Sequence, residues 1–574
     1  MRILLLVHSF NSLSQRLYVE LQQDGHELSV EIDIHEQVTR QAVDLFRPDL
    51  ILAPFLKRSI PPSIWRHRPC LIVHPGPPGD RGPAALDWAI LRGVCQWGVT
   101  VLQATSELDA GPIWAHASFP MRVARKSSLY RYEVTEAAVF AVRAALARMA
   151  QGLGPLFSIP DGPGCNWQPP LPQAQRAIDW EQDETVTVLR KIHCSDGFPG
   201  VEDILFERSF RLFDAHAALG LTGRPGTLIA RRNEAICRAT RDGAVWIGQL
   251  QPSDGAQRSF RRPAVLALGA LAESLPRGDD EAVDAGDVLR DDEIQYEERG
   301  AAGFLHFNFY NGALGVVQSE RLRAAYAYAR GRPTRVIVLM GGTDFWCNGM
   351  HLHRIEASDS PADASWDNIN CIDDLVQDIL TTDTHLTVAA LHGNAAAGGV
   401  FLALAADRVL ARSGIVLNPH YRNMGNLYGS EYWTYTLPQR VGTERAHAIT
   451  AGRLPMGTTE ALALGLIDGH AGPDAARFLA LVDAQAVELA SSDQFKQTLG
   501  EKQARRARDE ALRPLAQFRS DELARMRMNF YGFDPSYHIA RHRFVHRTPQ
   551  AWTPRHLARH RRTGSPVRLE PTSA

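Results

Sequence analysis

The sequence predicts a multidomain α/β protein. It has a doubly wound parallel sheet at the N-terminus, a small β-rich domain, and a second α/β half that ends in a helical extension. Three observations predict this. Short apolar runs alternate with amphipathic stretches of helical length from residue 2 to residue 74, an order that builds parallel sheets. Between residues 176 and 250 the pattern changes to short alternating runs such as GTLIARR and AICRATRDGAVWIGQL. From GFLHFNFYNG onward, strand and helix alternate again. At 574 residues the chain is too long for one core, so roughly two to four domains are expected.

RILLLVH (2–8) is the first strand; as an apolar run it falls short of a signal-peptide core, so it belongs to the fold. A polar loop leads to a helix that begins near Ser14 and stops at Gly25. LSVEI, a helix ending at Phe46, and the strand DLILAPF follow. In such sheets ligands sit outside the carboxyl ends of the strands. Ser9, Phe10, Asn11, Phe55, Lys57 and His74 all fall there. The Pro/Gly-rich stretch 152–172 closes this domain, which is placed at residues 1–155. The β-rich domain occupies 156–275, and the acidic stretch within 276–294 is the expected linker. TRVIVLM, THLTVAALHG and ADRVLARSG carry the second α/β domain (295–495). The extension (496–574) opens with one long charged helix, KQARRARDEALRPLAQFRSDELARMRMNF, and ends in a polar tail.

Composition narrows the partners. A hydrophobic fraction of 45% with 22% charged residues is ordinary for a soluble enzyme, and a net charge of −2 gives no bulk attraction to nucleic acid or membrane. The His- and Arg-dense stretch 538–562 reads as a local surface or substrate patch. The seven cysteines include no C-x-x-C pair and are odd in number, so neither a metal site nor a disulfide framework is expected. No run approaches the ~18 apolar residues of a membrane span. A cytoplasmic protein is expected, with no nucleic-acid or membrane partner.

Two constellations carry chemistry. The first is CLIVHPGPPGDRGP (70–83), with His74 at the mouth of an apolar strand, followed by Asp109 in ATSELDAGPIW. A carboxylate that fixes an imidazole lets the ring take and return a proton near neutral pH. A lone histidine after a strand is more often structural. His74, Asp109, the P-G-x-x-G-D-R-G loop and FLKRSIP together point to catalysis. With IDWEQDETVTVLRKIHCSDGFPG, residues 1–250 resemble the folate-dependent formyltransferases. The resemblance implies that His74 and Asp109 are the catalytic pair and that 10-formyltetrahydrofolate is the donor. It places Ser9, Phe10, Asn11, Phe55, Lys57, Ile72 and Gly82 around that donor. One position departs: the family has Asn two residues before the His, where this chain has Ile72. The absent amide removes one oxyanion donor, worth ~10²–10³ in rate. A thiol acceptor suits such a site, because a thiol with a pKa of about 8.5 ionises far more readily than an alkylamine loses its proton.

The second constellation is a pair of Gly-rich turns, CNGMHL after RVIVLM and AAAGGVFLALAADRV after LTVAAL. Thioester enzymes need two backbone N–H groups aimed at the carbonyl oxygen where no side chain obstructs. A Gly-Gly opening a helix usually only eases packing; two Gly-rich turns at this separation, in this strand–helix setting, indicate a site. Residues 295–495 resemble the enoyl-CoA hydratase/isomerase (crotonase) superfamily, which implies a ββα spiral, Met350 and Gly398 as the N–H donors, Gly349 and Gly399 beside them, and coenzyme A as ligand. The glutamate positions of the family's hydratases hold Phe401 and His420 here, so hydration is not expected. NPHYRNMGNLYGSEYW remains in the pocket region, with Tyr421 and Glu431 as candidate catalytic groups and Tyr428 read as packing. For Glu431, a base and a simple helix-start carboxylate stay equally open.

Both halves together, with FLHFNFYNGALG and MNFYGFDPSYHIARHRFVHR, resemble the HypX/HoxX-type maturation factors of NiFe-hydrogenase. That resemblance implies formyl transfer from 10-formyltetrahydrofolate to coenzyme A, then decarbonylation of formyl-CoA to carbon monoxide for the hydrogenase iron. The implied partners are the hydrogenase maturation machinery or the hydrogenase precursor, besides the small-molecule substrates. Two rivals are an amine (sugar or tRNA) formyltransferase fused to an acyl-CoA isomerase, and a non-catalytic assembly module. Ile72 and the lost glutamates count against the first, intact His74 and Asp109 against the second.

Overall fold

Ile3, Leu5 and Val7 face one apolar layer and Leu4 and Leu6 face another, so the first strand is buried on both sides. Parallel sheets with helices on each face require this. The structure, a computed structural model, describes residues 1–159, 165–255, 259–278, 283–284, 289–290, 293–342, 344–472 and 474–562. The first sheet holds β1 (Arg2–Val7), β2 (Glu27–Ile32), β3 (Leu50–Phe55), β4 (Cys70–His74), β5 (Gln96–Gln103) and β6 (Ile113–Pro120), in the order β2-β1-β3-β4-β5-β6. The first four strands are parallel; β5 and β6 then add an antiparallel hairpin, which the expected all-parallel sheet did not include. Helix α1 (Ser12–Gln23) and α3 (Thr135–Ala150) cover one face, and α2 (Glu36–Phe46) the other. Helix α1 starts two residues earlier than expected because Asn11 caps it, its Oδ1 accepting the Ser14 N–H at 3.0 Å.

A second body packs α4 (Thr185–Ser195) on an antiparallel sheet of β7 (Val201–Leu205), β8 (Arg208–Ala217), β9 (Leu228–Arg232), β10 (Ala235–Ala239) and β11 (Ala244–Pro252). The strand order is β9-β10-β11-β8-β7. Within the stretch expected as a linker, residues 279–282, 285–288 and 291–292 lie outside the described residues. Val283–Asp284 and Leu289–Arg290 there pair as short strands.

The last α/β body is a ββα spiral. β12 (Ile294–Arg299), β13 (Ala302–Phe307), β14 (Val336–Gly341), β15 (Leu386–Leu391), β16 (Arg408–Arg412) and β17 (Gly469–Ala471) lie side by side in that order, parallel from β13 onward. After β14, β15 and β16 the chain adds a short strand to a second sheet, at Phe345–Cys347, Asn394–Ala396 and Val416–Asn418. Helices α5 (Leu352–Glu356), α6 (Pro361–Leu380), α7 (Gly398–Leu404) and α8 (Trp433–Val441) follow the turns of the spiral.

The long charged helix expected in the extension is two helices, α9 (Phe495–Leu512) and α10 (Leu515–Tyr531). Pro514 has no N–H to donate and forces Arg513 into an extended conformation, φ −155°. Helix α11 (Ser536–Val545) follows, and residues 563–574 of the polar tail lie outside the described residues.

The halves interlock. Arg125, buried, binds Asp344 at 2.9 Å and also Asp214, tying all three bodies together. The Gln15 side chain of α1 bridges Phe10 O and Asn418 Nδ2 at 3.0 Å each, and Arg16 donates to Gly414 O. No helix among the described residues is long and apolar enough to cross a membrane.

Candidate functional site

His74 ends β4, and its ring is buried, with 3% of the residue exposed. The loop after it folds back on itself: Thr100 Oγ1 donates to Gly76 O at 2.8 Å and Trp97 Nε1 to Pro75 O at 2.8 Å. That fold returns Asp80 to the ring, where Oδ2 lies 2.9 Å from His74 Nε2. Gly76 makes the approach possible, since a Cβ there would stand 2.4 Å from Asp80 Oδ2. On the other edge Asp109 Oδ2 lies 3.5 Å from His74 Nδ1 and accepts the Gly82 N–H at 3.1 Å. Asp109 sits in the left-handed region, φ 54°, which aims its carboxylate back at the ring. The expected pair is therefore a trio, with a carboxylate at each ring nitrogen.

Asp80 stands in the quoted loop but was not singled out; only the fold shows that the Pro-Gly turn doubles back. Its second oxygen, Oδ1, is buried without a partner among the described residues. A cleft opens beside Asp80 and Asp109, lined also by Gly79, Thr100 and Gly111. Ile72 lies on the same face of β4 as His74, two residues back, half-buried beside Ala53 and Leu102 of the neighbouring strands.

The other residues expected around the donor gather at the carboxyl ends of the strands. Ser9, Phe10 and Asn11 form the half-buried loop between β1 and α1, where Phe10 packs edge-on against Tyr18 at 5.7 Å. Phe55 packs on Tyr130 at 6.1 Å. Lys57 is exposed and reaches the Phe198 ring, 5.9 Å from its centroid. A second cleft lies between the halves and is lined by Ser12, Arg16, Arg131, Asp344, Arg412 and Gly414.

The Gly-rich turns of the second half meet one another. Gly349 has φ +76°, and a Cβ on it would lie 3.2 Å from Gly398 N. Half-buried Met350 follows it. Gly398 is the first residue of α7, so helix geometry gives its N–H no acceptor within its own helix. Gly399 touches the preceding turn so closely that a Cβ would sit 2.1 Å from Cys347 O.

Tyr421 and Glu431 converge on this place. The Tyr421 hydroxyl donates to Glu431 Oε2 at 2.5 Å and stacks its ring on Phe401, with centroids 5.1 Å apart. The hydroxyl also faces Ser430 O at 2.9 Å. Glu431 is 1% exposed and its Oε1 points at the Gly398 α-carbon. It does not sit on the helix that the run EYWTYTL suggests. Glu431 and Tyr432 both take left-handed conformations (φ 60° and 56°) just ahead of α8, which turns the carboxylate inward. Such backbone costs on the order of 1 kcal/mol per residue and needs surroundings that hold it. Tyr428 packs on Trp433 at 5.4 Å.

Two more carboxylates do the holding. Asp373, on α6, accepts the Glu431 N–H at 2.8 Å and the Ser430 hydroxyl at 2.7 Å. Glu522, on α10, accepts the N–H groups of Tyr432 at 2.9 Å and Thr434 at 2.8 Å. Burial raises all three carboxyls above their usual range. For Glu431 the Asp373 charge adds to burial, while the Tyr421 hydrogen bond opposes it. Glu522 is pushed up to about 8, by burial first and then by Asp373. The sequence carried no signal for either residue, since both lie in helices whose charged residues read as solvated faces.

His420 occupies one of the positions where the hydratases have glutamate. It is 5% exposed, neither ring nitrogen has a partner among the described residues, and burial lowers its pKa to about 4. Phe401 fills the other.

Comparisons with known proteins follow the same division. The formyl transferase family matches residues 4–141, its C-terminal domain 170–262, and the enoyl-CoA hydratase/isomerase family 311–523. Along its whole length the chain is 53% identical to the hydrogenase maturation factor HoxX of Bradyrhizobium diazoefficiens, over 99% of both proteins. The crystal structure of HypX from Aquifex aeolicus in complex with tetrahydrofolic acid superposes with a TM-score of 0.94 at 48% identity, over 99% of this chain and 100% of that one. The methionyl-tRNA formyltransferase of Dechloromonas aromatica is 26% identical over 35% of this chain and 64% of its own.

Proposed function

We propose a function from one premise: the chain belongs to the family of hydrogenase maturation factors that includes HoxX and HypX. It joins the two formyltransferase domains to a domain of the enoyl-CoA hydratase/isomerase fold. In our reading it makes carbon monoxide for the iron of NiFe-hydrogenase, and the hydrogenase precursor or its maturation machinery receives the product.

The first step moves a formyl group from 10-formyltetrahydrofolate to the thiol of coenzyme A. The folate C–N bond breaks and a C–S bond forms, while the thiol proton passes to the folate nitrogen. His74, gripped by Asp80 and Asp109 at its two nitrogens, carries that proton. The loop Ser9–Asn11, Phe55, Lys57, Ile72 and Gly82 surround the folate. The tetrahydrofolic acid complex of HypX supports a folate ligand, and the formyl transferase family match over residues 4–141 supports placing it in this half.

The second step is loss of carbon monoxide from formyl-CoA. The N–H groups of Met350 and Gly398 hold the thioester oxygen, with Gly349 and Gly399 leaving room for it. Glu431 takes the formyl proton; the C–H electrons stay on carbon as its lone pair, an oxygen lone pair closes the third carbon–oxygen bond, the C–S electrons leave with the sulfur, and Glu431 returns its proton to that thiolate. Tyr421 fixes Oε2 and leaves Oε1 to react. Carboxyl burial suits the task, because a base near neutrality is stronger than an ordinary carboxylate. Substrate handed over inside one chain is shielded from hydrolysis.

The observation that carries this reading is the Tyr421–Glu431 pair aimed at Gly398, in a fold whose hydratase glutamate positions hold Phe401 and His420. The test is anaerobic: protein, 10-formyltetrahydrofolate and coenzyme A are mixed and carbon monoxide is trapped with reduced haemoglobin. Stoichiometric carboxyhaemoglobin that requires both substrates is expected. Formylation of an amine instead would overturn the assignment.

A further inference from the structure

Outside both candidate sites, three metal-binding side chains meet on the C-terminal extension. His542 and His546 lie one helical turn apart at the end of α11, with ring centroids 4.1 Å from each other. Both face the same oxygen: Glu356 Oε1 is 2.7 Å from His542 Nδ1 and 3.2 Å from His546 Nε2. Glu356 closes α5, more than 180 residues earlier in the chain. These three ligand atoms all lie within 4.8 Å of one another.

We propose that Glu356, His542 and His546 form a site for one divalent transition-metal ion of the Zn²⁺ class. Two imidazole nitrogens and one carboxylate oxygen are the donor set that Zn²⁺, Co²⁺, Ni²⁺ and Cu²⁺ prefer, whereas Mg²⁺ and Ca²⁺ take oxygen. Three protein donors leave the fourth tetrahedral position to water, and exposed His542 gives the ion a way in. The surroundings orient the carboxylate as metal sites require. Arg541 Nε holds Oε2 at 2.8 Å, which leaves Oε1 as a single ligand atom. Arg541 is itself held by His538 Nδ1 at 2.7 Å, and His538 by Phe530 O at 2.8 Å. On the far side the Phe260 ring packs edge-on against His546 at 5.0 Å. Binding needs each neutral imidazole only to carry its proton on the other nitrogen.

The ion would cross-link the extension to α5, the helix that begins two residues after Met350. Its role is therefore to fasten the C-terminal helices to the second catalytic half. The experiment uses full-length protein without a histidine tag, titrated with Co²⁺ and with Zn²⁺ under equilibrium dialysis. One ion per chain is expected, with the visible bands of four- or five-coordinate cobalt. The near-ultraviolet thiolate band that exposed Cys95 would give is expected to be absent. Zn²⁺ is expected to raise the melting temperature of the wild type. His542→Ala, at an exposed position, keeps the metal-free melting temperature but loses both the cobalt bands and the Zn²⁺-induced rise, with affinity down at least ~10-fold. His546→Ala and Glu356→Gln likewise lose the cobalt bands and the Zn²⁺-induced rise, each measured against its own metal-free melting temperature. Featureless cobalt spectra, or variants that bind like the wild type, overturn the site. Neither readout depends on formyl transfer or carbon monoxide, so the result stands apart from the catalytic assignment.

Discussion

Glu431 Oε1 rests against the α-carbon of Gly398: a methyl group built there would stand 2.1 Å from the oxygen. The carboxylate thus occupies the space that any other residue at 398 would fill. Gly398→Ala is expected to push Glu431 aside and lower carbon monoxide formation by ~10² or more, with folate-dependent formyl transfer intact. Unchanged carbon monoxide yield in single-turnover mixing would show that Glu431 need not sit there.

His74→Ala is expected to cost ~10²–10⁴ in formyl transfer to coenzyme A while folate still binds. Asp80→Asn and Asp109→Asn each leave one ring nitrogen facing an amide, so both are expected to fall between the wild type and His74→Ala. Stopped-flow assay of formyl-CoA together with folate titration checks this. Wild-type turnover in His74→Ala would remove the residue from the chemistry.

Glu431→Gln and Tyr421→Phe are expected to separate the two steps. Formyl-CoA then accumulates and carbon monoxide falls, as read by mass spectrometry and by haemoglobin in the same mixture. If Glu431→Gln makes carbon monoxide at the normal rate, the proton leaves to another group.

The pH profile of the second step has a defined sign. In the proposed reaction Glu431 serves as a base only when ionised, and its pKa is raised by burial and then by Asp373. Carbon monoxide formation is therefore expected to climb with pH through neutrality. Asp373→Asn removes the neighbouring charge, so the climb is expected to move to lower pH, with kcat affected more than KM. A profile that stays in place would reduce Asp373 to a backbone support.

Stability is expected to peak near pH 6.5. Buried His351, His392 and His420 are held down to about 4 and His353 to about 3. The unfolded chain takes up their protons below about 6.5, so stability falls as pH drops from there. Glu431 and Glu522 work oppositely: their raised values stabilise the fold at low pH, and that contribution is lost as pH rises, for Glu522 through about 8. Calorimetry of wild type and Glu522→Gln from pH 5 to pH 9 tests both limbs, the variant losing much of the alkaline decline.

Local signals carried most of the fold. Alternating apolar runs marked β1 to β4, and the Gly turns marked the approach of Gly349 to Gly398, because close backbone contact excludes every side chain. The sheet's antiparallel edge and the break at Pro514 were missed; the proline was present in the sequence, but the surrounding charged periodicity outweighed it. Asp80 lay in view beside His74 yet needed the return of the loop to become a partner. Asp373 and Glu522 were not legible, because a buried carboxylate and a solvated one look alike on a helix until packing decides between them.

Helix α1 carries a wider consequence. Its N-terminus is the Ser9–Asn11 loop of one catalytic half, while its Gln15 and Arg16 touch Asn418 and Gly414 of the other. A partition that serves two rooms cannot be rebuilt for one tenant alone. A change that reshapes the loop at one end also reaches the strand leading to His420 and Tyr421 at the other. Selection on either of the proposed reactions is therefore constrained by both, and neither half can be exchanged for that of a simpler protein without rebuilding this seam.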